Sequence, residues 1–275
     1  MSEKISAEKP LFQERVYHLG IKPGEIPPYV LLPGDPKRVD IIASLLSNPR
    51  EIAYVRQYKT IVGTYKGVEV AATSTGIGCP ATEIAVIELY YVGARTLIRV
   101  GSTGSLHENV KIGDLVISLG AVRLDGASRN YARIEYPAVA DLEVTLALIK
   151  AADSLGYRYH VGITASSDSF YAGQERKIDG FLPRHMEGLI NELKQLKVLN
   201  FEMEASTLFV LSRILGLRAG AVCVVFANRV TNEFISPEEK KSAEKAVCKV
   251  GCEAIKLLKE WDDEKARGNK LPFLR

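Results

Sequence analysis

Apolar and polar positions along this chain follow two periods. Short apolar runs at 29–32, 96–101, 161–167 and 219–226 read as buried strands, and 113–122 as a further strand. Residues 51–75 read as antiparallel strands, with Lys66-Gly67 as a hairpin signal between 60–65 and 68–74. Helical periodicity covers 81–92, 141–155 with Gly156 as its stop, 200–215, and 237–261. A helix also follows Pro33-Gly-Asp-Pro36, with Asp35 as its cap and Pro36 at its first position. The stretch 170–186 carries neither period and reads as irregular. This alternation predicts an α/β fold: a three-layer α/β/α sandwich around a central mixed β-sheet. With no break in composition it reads as a single domain, 1–275, with 1–28 as an N-terminal arm.

Composition narrows the function classes. The 36 basic and 33 acidic residues are interspersed, at a net charge of +3, which argues against a nucleic-acid surface. No apolar run approaches the ~20 residues needed to cross a bilayer. The first residues, Met-Ser-Glu-Lys-Ile, do not form a signal peptide, so a cytoplasmic protein is expected. The four cysteines make no Cys-x-x-Cys pair and there are only four histidines, so neither a zinc site nor a disulfide is expected.

The chemistry gathers where the strands end. Arg99 interrupts a buried strand that runs toward Gly101-Ser-Thr-Gly104, read here as a glycine-rich turn. Either an internal carboxylate or an anion from outside would satisfy its guanidinium. Ser102 and Thr103 add hydroxyl donors beside it. Arg38 stands in a helix's first turn, which suits a cation poorly unless an anion binds there. Glu202 and Glu204, separated by one residue, point in different directions, so one could face a cleft while the other supports the structure. As helix-start acids they equally need no function. Gln174 and Arg176 could read an amide-like ring edge, or be ordinary loop polars. Asn228-Arg229 puts another guanidinium at a sheet edge. Together with Phe170, these residues fit an anionic cosubstrate, a planar polar ring and a sugar diol.

Eight motifs occur in order: Val-Tyr-His-Leu-Gly (16–20), Pro-Gly-Asp-Pro-Lys-Arg (33–38), Ser-Thr-Gly-Ile-Gly (74–78), Ile-Arg-Val-Gly-Ser-Thr-Gly (98–104), Val-Arg-Leu-Asp-Gly-Ala-Ser (122–128), Ala-Ser-Ser-Asp-Ser-Phe-Tyr-Ala-Gly-Gln-Glu-Arg (165–176), Phe-Glu-Met-Glu-Ala (201–205) and Ala-Asn-Arg-Val-Thr (227–231). On these, the chain resembles the hexameric class of the nucleoside phosphorylase family, and within it the uridine-cleaving members, from about Val16 to the last helix. The resemblance implies phosphorolysis of uridine to uracil and ribose 1-phosphate, with inorganic phosphate as cosubstrate and no metal or organic cofactor.

Position by position, the resemblance implies that Gly34, Arg38, Arg99 and Ser102 hold phosphate, with Arg56 reaching in from a neighbouring subunit. Glu204, Met203 and Glu202 would serve the ribose, and His18 would close on its 5′-hydroxyl from the neighbour. Phe170, Gln174 and Arg176 would hold the base, with Arg229 behind them. Arg99, Glu204 and Arg176 would carry the catalysis. The implied assembly is a homohexamer, a trimer of dimers with shared active sites.

Two departures stand out. Ser102 replaces the usual threonine and keeps its hydroxyl. Gln57 replaces a glutamate that in some relatives binds a monovalent cation between subunits, which speaks against such a site. The nearest rival is a purine phosphorylase, whose hexameric class places Ser-Asp where this chain has Asn228-Arg229; an arginine cannot protonate a purine N7. A hydrolytic nucleosidase has no use for the arginine cradle. A non-catalytic nucleoside-binding protein would bind uridine without phosphate-dependent turnover.

Overall fold

A computed structural model of the chain describes residues 6, 8, 10–12, 14–270 and 272–274. The strands are β1 (Leu11–Phe12), β2 (Arg15–Val16), β3 (Tyr29–Leu32), β4 (Ser47–Val55), β5 (Tyr58–Tyr65), β6 (Val68–Thr73), β7 (Thr96–Ser105), β8 (Leu115–Leu124), β9 (Ala138–Val139), β10 (Tyr159–Ser167), β11 (Val198–Glu202), β12 (Arg218–Asn228) and β13 (Glu233–Phe234). The helices are α1 (Pro36–Ala43), α2 (Cys79–Tyr91), α3 (Leu142–Ser154), α4 (Leu189–Gln195), α5 (Ala205–Ile214) and α6 (Pro237–Ala266). Apart from the β1–β2 ribbon, the strands form one mixed sheet. Of the N-terminal arm, residues 1–5, 7, 9 and 13 lie outside the described residues.

Local signals account for many element ends. Asp35 caps α1, accepting from the Lys37 N–H at 2.9 Å, with Pro36 at the first position. Lys66 and Gly67 both take positive φ, as a two-residue hairpin loop requires, and Tyr65 pairs with Val68 across them. Ser236 and Glu239 form a reciprocal capping box on α6.

β7 organises the sheet. Along one edge it runs parallel to β12 from Thr96 to Ser105. Its other edge is divided: Thr96–Arg99 pair with β3, and Gly104 and Ser105 pair with β11. β12 also pairs with β8, β8 with β10, and β10 with β11. Strands β7, β12, β8, β10 and β11 therefore close into a ring, while β3, β6, β5 and β4 extend from it as an open wing.

This closure corrects two sequence expectations. Residues 101–104 are not a turn, because β12 pairs with β7 throughout them and β11 joins the other edge at Gly104. Gly101 serves close approach: a Cβ on it would lie 2.8 Å from the Cys223 sulfur and 2.7 Å from the Arg99 guanidinium. Likewise, residues 200–202 do not open a helix. They pair with Thr164–Ser166 of β10, and α5 begins at Ala205. The short α4 before them was also unforeseen.

Alternate residues of the central strands face opposite helices. Leu31, Ile98 and Val100 pack with α1, α3 and α6, whereas Val30, Leu32 and Leu97 pack with α2 and α5. Parity puts Arg99 on the Leu97 face, toward the start of α5.

Candidate active site

A cavity of about 740 Å³ opens where β3, β7, β10 and β11 end. Carboxyl ends of parallel strands are where such sheets leave room for ligands.

Gly34, Arg38, Arg99 and Ser102 all line it, so the four residues expected at phosphate from this chain stand together. Gly34 and Gly76 interlock the loops after β3 and β6, the Gly76 N–H donating to the Gly34 carbonyl at 3.0 Å. Buried Arg38 donates from Nη1 to the Val100 carbonyl at 3.3 Å and from Nη2 to Glu244 at 2.9 Å. Its Nε is buried without a partner.

Arg99 takes the internal carboxylates that its sequence position left open. Its Nε donates to Glu202 Oε2 at 2.8 Å, and its Nη2 lies 2.5 Å from Glu204 Oε2. Burial works against the charge of Arg99, but Glu204 and Glu202 outweigh it and hold the pKa above the usual arginine value.

The two carboxylates divide their work. Glu202 Oε2 also accepts the N–H groups of Glu204 and Ala205, each at 2.9 Å, and so caps α5. Its Oε1 takes the Ser166 hydroxyl. Glu204 Oε1 accepts the Gly78 N–H at 2.6 Å, at the start of α2. Burial, with Glu202 beside it, raises the Glu204 pKa above the usual carboxylate range despite Arg99. Met203 lines the cavity between them.

In the same cavity Arg176 stacks 4.0 Å from the centre of the Phe170 ring and donates to the Phe170 carbonyl and to Gln174 Oε1, each at 2.6 Å. That bond leaves the Gln174 Nε2 hydrogens as donors. Burial and then Arg229 push the Arg176 pKa down to about 10. Arg229 itself does not line the cavity; it buttresses it, donating to the Gln174 carbonyl at 2.8 Å. Asn228, the last residue of β12, fastens the turn that follows it, its Oδ1 accepting from the N–H groups of Val230 and Thr231.

His18 and Arg56 are not brought to this cavity. Both contact Tyr17 instead. Arg56 donates to the Tyr17 hydroxyl at 3.4 Å, and the Tyr17 and His18 rings are 4.7 Å apart.

Several functional neighbours were not foreseen. Ser166 and Gly78 fall within two of the sequence motifs, but nothing in the motifs marks them as donors to Glu202 and Glu204. Gln57 was noted only as a departure, yet it lines the cavity against Gly76, where a Cβ would meet it at 2.6 Å. Glu244 and Lys240 also line the cavity, from α6, and nothing in a charged helical stretch marks them in advance. Among the described residues, no group of three or more His, Cys, Asp or Glu could hold a metal ion.

The profile of the phosphorylase superfamily matches residues 28–258, and the chain belongs to that superfamily. A uridine phosphorylase of Thermococcus kodakarensis is 57% identical over 273 residues, covering 98% of this chain and 97% of its own length. The uridine phosphorylase of Escherichia coli K12 is 43% identical over 247 residues, 88% of this chain and 98% of its own. A guanosine phosphorylase of Halorubrum lacusprofundi is 37% identical over 230 residues, 83% of this chain and 90% of its own.

Proposed function

We propose that this chain catalyses the reversible phosphorolysis of uridine to uracil and ribose 1-phosphate, in nucleoside salvage in the cytoplasm. One observation carries the reading: a single cavity is lined both by Arg38, Arg99 and Ser102 and by Gln174 and Arg176, in a chain 57% identical to a uridine phosphorylase.

Phosphate binds at the arginine end with Gly34, under the ribose. The C1′–N1 bond breaks with its electron pair leaving on uracil, and a phosphate oxygen forms the new bond to C1′. The sugar passes through an oxocarbenium-like state, which the phosphate charge stabilises. Glu204 takes the ribose hydroxyls, Met203 packs under the sugar, and Glu202 holds Arg99 and the α5 start in place. Charge developing on the uracil oxygens meets Arg176 and the Gln174 amide over Phe170, with Arg229 behind. Inorganic phosphate is the cosubstrate, and no further cofactor takes part. The scaffold is one domain, a three-layer α/β/α arrangement with an N-terminal arm. It works as a trimer of dimers in which His18 and Arg56 complete the neighbour's site.

The guanosine phosphorylase relative keeps a purine reading in view. Against it, the residue after Asn228 is Arg229, which offers no acid for a purine N7. Incubation with uridine, thymidine, inosine and guanosine, each with and without phosphate, decides the matter by base release. Uracil release that requires phosphate is expected; faster release from inosine or guanosine overturns the pyrimidine reading.

A further inference from the structure

Both arginines at the phosphate end already carry anions, but the anions are held differently. Glu202 and Glu204 are pinned: besides Arg99, Glu202 receives Ser166 and two backbone N–H groups, and Glu204 receives the N–H groups of Gly78 and Met203. Glu244 is not. Among the described residues its carboxylate has one partner, Arg38 Nη2 at 2.9 Å.

That bond is also incomplete from the side of Arg38. A guanidinium presents Nε and Nη2 as a fork for two oxygens of one anion. Glu244 engages Nη2 alone, and the buried Nε has no acceptor. Phosphate has the oxygens to take both.

Glu244 also has a second seat. Lys240, four residues earlier on α6, is its neighbour on the same helix face and lines the same cavity. Lys240 makes no ion pair among the described residues. Its Nζ stands 5.8 Å from the centre of the Phe226 ring, and the Arg38 guanidinium 5.9 Å from it. Two cations thus flank one ring, and one carboxylate lies within reach of both.

We propose that Glu244 is an exchangeable counter-ion for Arg38. It holds the guanidinium while the site is empty, yields it to inorganic phosphate, and turns back one helical turn to Lys240. Phosphate affinity is then a difference between two anions competing for one guanidinium, and Glu244 sets it without touching the reacting atoms. This rests on the assignment of Arg38 to phosphate made above.

The test is calorimetric titration of the full chain with inorganic phosphate, without nucleoside, alongside the phosphate KM at saturating uridine. Glu244→Gln should bind phosphate about fivefold more tightly or better, and Lys240→Ala about fivefold more weakly. In the Glu244→Gln background, Lys240→Ala should have no further effect, since there is no carboxylate left to reseat. Unchanged or weaker binding by Glu244→Gln overturns the exchange and makes Glu244 a support for Arg38. An equal loss from Lys240→Ala in both backgrounds overturns the second seat and makes Lys240 a direct phosphate contact. A wild type that neither binds phosphate nor releases uracil instead overturns the functional reading beneath the proposal.

Discussion

Glu88 holds His18 by both its ring and its backbone. The carboxylate accepts the His18 Nδ1 proton at 2.6 Å, the His18 N–H at 3.0 Å and the Leu19 N–H at 2.8 Å. In the neutral ring Nε2 is therefore left as the acceptor. If that nitrogen meets a ribose 5′-hydroxyl, Glu88→Gln should lower kcat/KM for uridine by about tenfold, near 1.4 kcal/mol. With 5′-deoxyuridine, which lacks the hydroxyl, the variant should match the wild type. Equal losses on both substrates would reduce Glu88 to a fastener of the 16–20 turn.

Arg99 invites a gentler change than truncation. Alanine there would leave Glu202 and Glu204 buried without their cation, a loss of about 3–5 kcal/mol that could unfold the chain. Arg99→Lys keeps a charge but not the bridge from Nε to Glu202 and Nη2 to Glu204. Turnover should fall about a hundredfold with a raised phosphate KM, read by steady-state kinetics over a phosphate series. A phosphate KM equal to that of the wild type would remove Arg99 from the phosphate site.

Two variants inactive for different reasons test the sharing of sites. Arg56 and His18 cluster at Tyr17, off the cavity that holds Arg176. Arg56→Ala and Arg176→Ala, each dead alone, should recover activity after joint dissociation and reassembly. In a mixed two-fold pair one site collects both defects and the other none, so random pairing gives up to about a quarter of wild-type activity. Mixed assemblies confirmed by native mass spectrometry yet still inactive would mean that each subunit supplies its own Arg56.

Asp262 gives a stability prediction with a pH signature. It accepts from Tyr29 at 2.6 Å and from Arg218 at 2.6 and 2.8 Å, tying α6 to the starts of β3 and β12. Burial raises its pKa, but Arg218 and Tyr29 outweigh this and leave it below the usual aspartate value. A lowered carboxylate stabilises the fold fully above its unfolded pKa, about 3.9, and stops doing so as pH falls through the folded value. Asp262→Asn should thus cost about 1–2 kcal/mol at pH 7, and the gap to wild type should close as pH falls below the unfolded value and through the folded one. Thermal melts across pH measure it; a constant gap would refute the linkage.

The sequence by itself determined whatever closes over a few residues. The Asp35 cap, the Lys66-Gly67 turn, the Ser236 capping box and the Leu97/Ile98 alternation all depend on near neighbours. Of the thirteen site residues that the resemblance implied, ten line the cavity, from Gly34 to Glu204. Only the tertiary structure decided who meets whom. Arg99 and Glu202 are 103 residues apart, His18 and Glu88 70, and Arg38 and Glu244 206. Only the closed ring keeps residues 101–104 and 200–202 in strands, because it gives each a partner far away in the chain. Local propensity sees a glycine run and a helix start at those positions; pairing across the sheet overrides both.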